Sequence, residues 1–212
     1  MDQIHNYLPQ HKHDLERMEA LNQLEEETVI CLIPALLEWV QDMNWPIAPE
    51  VASLLLQYAE KTIPPIQVIL AQQDAGWIYN ILQELVMNWD TGLVAQLYSS
   101  LRHVAEMTDL SADTDLLAVK ILWEHRLIEA DSAHSLLKQK LVEAGNSIGH
   151  FNAEQKAVFK ELDNEKLFIL QTDVSKIVDY VKTNSEILHQ QNQYENSLSR
   201  YEEILEMMKG IV

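Results

Sequence analysis

Thr28–Ile47 reads TVICLIPALLEWVQDMNWPI, and the fold class is decided in this stretch. Val29, Leu32, Ile33, Leu36, Leu37 and Val40 recur at intervals of one, three and four, the period of a helix that buries one face. A strand would alternate by two. The expected helix runs from near Thr28 to about Asp42, with Pro34 in its first turns, where a missing N–H costs least. Glu25-Glu26-Glu27 form a solvated boundary before it. Cys31, the single cysteine, lies in the run Val29-Ile30-Cys31-Leu32-Ile33 and reads as a small buried hydrophobe that has no intrachain disulfide partner. Asn44-Trp45-Pro46-Ile47 then makes a tight connection, because the residue before a proline is pushed out of the helical region.

The same grammar extends in both directions. Upstream, Asp14 is positioned to cap a helix carrying Leu15, Met18, Leu21 and Leu24. Downstream, a helix opened by Pro46 carries Val51, Leu54, Leu55 and Tyr58; Pro64-Pro65 break the chain before an apolar face of Ile66, Val68, Ile69 and Leu70. Asp74 caps a helix with Trp77, Ile78, Ile81, Leu82, Leu85 and Val86, and one further helix spans Thr91 to about Glu106, with Leu93, Val94, Leu97, Leu101 and Val104 inward. Helix pairs with short loops predict an all-α chain, built N-terminally as a HEAT-like α-solenoid of antiparallel helix pairs. Five glycines and six prolines are too few for the many tight turns of a β-sandwich or barrel. An internal echo fits the solenoid: Asp42-Met43-Asn44-Trp45 and Asp74-Ala75-Gly76-Trp77 share Asp-x-x-Trp at a helix-pair spacing. In each copy Asp would cap the incoming helix while Trp wedges into the joint.

Leu8-Pro9, Lys12-His13-Asp14, the run Pro34-Ala35-Leu36-Leu37-Glu38-Trp39-Val40-Gln41-Asp42-Met43-Asn44-Trp45-Pro46-Ile47-Ala48, Ile69-Leu70, and Asp74-Ala75-Gly76-Trp77-Ile78-Tyr79 together resemble the bacterial domain family of unknown function DUF5071. The resemblance covers roughly residues 7–110, with Ile78 and Asn80 standing where the family carries more aromatic or basic residues. It implies a short HEAT-like array without an enzymatic role, and an immunity function beside toxin genes.

The loop Thr108-Asp109-Leu110-Ser111-Ala112-Asp113-Thr114-Asp115 is rich in capping residues and sets the expected boundary between an acidic HEAT-like domain, residues 1–110, and a C-terminal helical region, residues 111–212. Leu116–Ile128 and Ala133–Ile148 read as an antiparallel pair, with Gly145, Gly149 and Asn152 marking the next break. From Ala153 to Lys209 there is no proline or glycine, and Leu198, Tyr201, Leu205 and Met208 form a narrow seam. A helical hairpin or coiled-coil-like extension is expected there. Its seam would serve either homodimerisation through the C-terminal helices or docking on the N-terminal array.

Charge bounds the function. The chain carries net −18, and residues 1–118 hold 4 Lys and Arg against 18 Asp and Glu, a net of −14. Such a field repels phosphate backbones and anionic lipid and speeds encounter with a basic protein surface, so nucleic-acid and membrane partners are not expected. A plain solubilising role would produce the same composition. Met1-Asp2-Gln3-Ile4-His5 has no basic, apolar leader, and no run approaches a membrane span, so a cytoplasmic location is expected.

Nothing in the chain assembles into known catalytic spacing: no Gly-x-Gly-x-x-Gly, P-loop, nucleophile elbow or His-Glu-x-x-His occurs. His11-Lys12-His13-Asp14 places its imidazoles two apart, which do not share a helix face; Asp109, Asp113 and Asp115 lack the glycine and closing glutamate of a calcium loop and read as caps. No enzyme activity, cofactor or metal is therefore expected. The leading expectation is an immunity-type protein that blocks a cognate toxin, such as a basic nuclease. Glu38, Asp42, Asp74 and Glu84 would pair with toxin Lys or Arg, while Trp45, Trp77 and Tyr79 would supply buried contact area. Trp39 and Trp123 read as core. The alternative is a helical scaffold or adaptor that oligomerises through its C-terminal helices.

Overall fold

The computed structural model describes residues 4–211, and every regular element among them is helical. The chain is all-α. It forms two compact units that divide between Leu136 and Leu137.

The first unit contains α1 (Leu15–Leu21), α2 (Glu26–Leu37), α3 (Ala48–Gln57), α4 (Ala59–Leu70), α5 (Ala75–Glu84), α6 (Thr91–Gln96), α7 (Tyr98–Glu106) and α8 (Thr114–Glu124). In α2, Val29, Leu32, Ile33, Leu36 and Leu37 are buried, as the three-and-four spacing requires, and Val40 is buried in a short 3-10 turn, Glu38–Val40. Helix α2 packs on α3 and α4, α4 packs on α5, α6 and α7, and α8 packs on α5 and α7. The core is a continuous set of aliphatic side chains that includes Leu36, Leu55, Ile66, Ile81, Leu85, Leu101 and Leu116, all essentially inaccessible. Each contributes about 1.5–3 kcal/mol by leaving water.

Several local expectations give way to this packing. Cys31 is exposed rather than buried. It sits two residues from Val29, about 200° around the helix, so membership of an apolar run does not turn it inward. Helix α2 starts at Glu26, earlier than expected, which leaves Pro34 in its interior. Pro64 and Pro65 do not break the chain; both lie inside α4. Val68 is 64% exposed on the outer side of that helix, and Leu15 is likewise exposed on α1. Asp14 precedes α1 without capping it; its carboxylate turns back and accepts from the Gln10 amide at 2.9 Å. Helix α3 begins at Ala48, with Pro49 rather than Pro46 in its opening turn. The single helix expected over Thr91–Glu106 is broken at Leu97 into α6 and α7.

Helix α9 (Ala130–Gly149) spans the division between the units, and Gly145 lies within it rather than at a break. In the second unit the proline-free stretch is three helices, not a hairpin: α10 (Ala153–Ile169), α11 (Val174–Thr183) and α12 (Ser185–Gly210). The cause is local capping. Asn152 and Gln155 form a reciprocal capping box that opens α10, and the Asp173 carboxylate accepts from the Lys176 amide at 3.1 Å to open α11. Phe151, Phe159 and Tyr194 form an aromatic cluster with centroids 5.6 Å apart. Gln191, buried beside it, donates to the Phe159 carbonyl and the Asp163 carboxylate. The expected seam of Leu198, Tyr201, Leu205 and Met208 is only half-buried, while Gln191, Arg200 and Ile204 are the buried side chains of α12.

Candidate functional site

The chain after α2 turns sharply where Asp42 folds its carboxylate over the next residues. Its Oδ1 accepts from both the backbone amide and the side-chain amide of Asn44, each at 2.9 Å. This is an Asx turn, a local use of an acid that tightens a loop without opening a helix. Trp45 follows, half-buried, and packs edge-to-face against Trp39 with centroids 5.8 Å apart and planes at 66°.

Asp74 does what its motif suggests. Its Oδ1 accepts from the Trp77 amide at 3.0 Å and caps α5. The two Asp-x-x-Trp copies therefore share spacing but not structure: one acid caps a helix, the other closes a turn. The Trp77 side chain reaches across the fold, its Nε1 donating to the Leu37 carbonyl at 3.1 Å. One turn along α5, Asn80 donates from Nδ2 to the Gln41 carbonyl at 2.9 Å. Carbonyls at the end of a helix have no partner within it, and these two side chains supply donors to the end of α2 and the turn beyond. They join Glu38, Asp42 and the start of α5 into one ledge. The contribution of Asn80 was not foreseen; the available signal was its position three residues after Trp77, on the same helix face.

The remaining candidate residues are dispersed. Glu38 and Asp74 are exposed, while Asp42 and Glu84 are half-buried. Glu84 ends α5, nine residues beyond Ala75, about 14 Å from the capped end along the axis. Tyr79 is exposed, and two residues from Trp77 it points to the opposite flank of the helix. Trp77 and Tyr79 thus cannot both reach one flat partner, whereas Glu38, Asp42, Trp45 and Asp74 gather around the same junction of elements.

The first unit is acidic away from this ledge too, including the far end of α2. Glu25, Glu26, Glu27, Glu50 and Glu60 are exposed as well. In the loop before α8, Asp113 adopts a left-handed conformation with φ of 54°, Asp115 is buried in the first turn, and Asp109 has both carboxylate oxygens engaged by Ser111, Ala112 and Thr114. His11 Nδ1 lies 3.3 Å from the His13 amide. Among the described residues, no group of three His, Cys, Asp or Glu side chains is placed to hold a metal ion. None of the described helices is long and apolar enough to cross a membrane.

A family model described as a domain of unknown function (DUF5071) matches residues 7–122, so the matched region runs into α8 and leaves α9 to α12 outside it. No curated protein matches the chain.

Proposed function

The chain belongs to the DUF5071 family, a membership that brings no activity with it, and from its surface chemistry we propose that it is a binding protein whose acidic first unit captures a basic protein. The reading takes its specific form from the expected immunity role: a cytosolic antidote that covers a cognate toxin, such as a basic nuclease, by steric and electrostatic blockade. The observation that carries it is the charge asymmetry, 4 Lys and Arg against 18 Asp and Glu over residues 1–118. A field of that strength raises the association rate with a cationic partner and excludes nucleic acid from the same surface.

The ledge at the end of α2 is the preferred contact. Glu38 and Asp74 are exposed there, Asp42 is held in a fixed turn, and the Trp39–Trp45 pair supplies rigid apolar area beside them. A rigid acid costs little entropy when it pairs with Lys or Arg. Tyr79 and Glu84 would engage only a partner large enough to wrap around α5.

The test uses the product of a toxin-like gene adjacent to this one. Coexpression with this chain should relieve growth arrest, and the association rate of the purified pair should fall about tenfold between low and physiological salt. Glu38→Lys with Asp74→Lys should slow association without altering the circular dichroism spectrum. An undiminished growth arrest, or a rate indifferent to salt, would refute the reading.

A further inference from the structure

Helix α11 has an apolar stripe, Val174, Ile177, Val178 and Val181, at spacings of three, one and three, yet none of its residues is buried. Val174, Val178 and Val181 are 74%, 42% and 49% exposed, and Leu167, Phe168 and Leu170 at the end of α10 and the turn after it are 67%, 71% and 59% exposed. A hollow of about 480 Å³, lined by Asn164, Glu165, Phe168, Ile169 and Tyr180, opens beside them. Along α11 and the end of α10 these six side chains present on the order of 600 Å², the upper end of what a monomer leaves in water. That approaches the ~800 Å² a side of a standard interface.

We infer that this surface is the contact between two copies of the chain, with α11 packed antiparallel on α11 of the second copy. Two observations choose that occupant. First, the stripe is its own complement. Reversal about the midpoint of residues 177 and 178 puts Val174 level with Val181 and Ile177 level with Val178. An isologous two-fold contact requires one patch to meet itself, with residue i on j and j on i. Second, the charge permits it. Residues 166–182 carry three Lys and two Asp, net +1, in a chain of net −18. Two copies can therefore meet here without the repulsion that would separate two copies of the acidic first unit. The inference is independent of the partner proposed for that unit, and it places the expected C-terminal association on α11 rather than on the half-buried seam of α12.

Sedimentation equilibrium of the full chain at tens of micromolar should give twice the 24.5 kDa chain mass, and Val178→Asp, at an exposed position, should return it to monomer with unchanged helical content. Register is tested by cross-linking in a Cys31→Ser background. Val178→Cys should form a disulfide-linked dimer, because residue 178 and its symmetry mate adjoin the two-fold axis. Val174→Cys alone should not, since its mate lies about 10 Å further along the axis, whereas a mixture of Val174→Cys and Val181→Cys chains should. A wild-type monomer at that concentration, a dimer indifferent to Val178→Asp, or Val174→Cys cross-linking as readily as Val178→Cys would each overturn the inference.

Discussion

Replacing Asp109 by Asn should unlatch the start of α8, although the two side chains have the same shape. In the loop between α7 and α8, Oδ1 accepts from the Ser111 amide at 2.9 Å, the Ser111 hydroxyl at 2.6 Å and the Ala112 amide at 3.3 Å. Oδ2 accepts from the Thr114 hydroxyl at 2.8 Å and the Thr114 amide at 3.3 Å. Desolvation raises the carboxyl pKa, but the hydrogen bonds from Ser111 and Thr114 outweigh it and bring it down from 3.8 to about 2. Asparagine keeps one acceptor and turns an NH₂ toward donors on the other side. Thr114 is 5% exposed, so its groups cannot turn to water instead. Losing that side of the latch should cost about 2–3 kcal/mol. The pH dependence has a definite sign. With the folded pKa below the unfolded one, the unfolded chain binds the proton first, so the carboxylate's contribution is whole above about pH 5 and fades as pH falls toward 2. Full linkage for that shift would be about 2.4 kcal/mol; a partly exposed group retains roughly half or more of it after solvent screening. All five tryptophans precede Leu137, so urea unfolding followed by tryptophan fluorescence reports on the first unit. An Asn variant within about 0.5 kcal/mol of the parent at neutral pH, or a gap between the two that does not narrow on acidification, would refute the reasoning.

Two further outcomes follow from single contacts. Arg126 holds φ of 55° where α8 ends, with its amide donating to the Trp123 carbonyl and the Leu127 amide to the Leu122 carbonyl, a Schellman closure that favours glycine. Arg126→Gly should raise the urea midpoint by a stability gain of about 0.5–1 kcal/mol, while Arg126→Ala, which keeps the Cβ, should give none of it. Trp77→Phe and Trp89→Phe remove the same ring volume, but the Trp77 indole N–H donates to the Leu37 carbonyl whereas the buried Trp89 N–H has no partner. Thermal melts should show the Trp77 variant to be the less stable by about 1 kcal/mol; equal losses would contradict the assignment.

The helical architecture was legible because its signal is local. Val29, Leu32, Ile33, Leu36, Leu37 and Val40 carry the period in the sequence and the burial in the structure. Punctuation was less legible, because a breaking rule describes a residue and not the element that holds it. Pro34, Pro64 and Pro65 each remove an N–H from a helix interior, at about 3 kcal/mol by propensity. Pro34 and Pro64 face solvent, and Glu60 and Lys61, the residues whose carbonyls lose their donors to Pro64 and Pro65, are exposed, so water can serve them. On the opposite side Ile63, Ile66, Ile69 and Leu70 are buried, and together they outweigh the two prolines.

The site was legible only as far as one element reaches. Asp74 caps α5 within its own segment and could be read from spacing; the bonds from Trp77 and Asn80 to the end of α2 cross about 40 residues and could not. Asp42 kept the spacing of Asp74 and lost its role because Asn44, not an opening helix, offers the nearest amides. The same limit explains α11. Val174, Val178 and Val181 follow the pattern that in α2 marks a core face, and they are exposed. Periodicity reports that a helix has a face to cover. What covers it is a property of the neighbours, and although α11 packs on α10 and α12, Val174, Val178 and Val181 stay exposed. A stripe that matches itself when reversed, set in a segment of net +1 in a chain of net −18, therefore turns from an apparent error of amphipathic design into a contact awaiting its second copy.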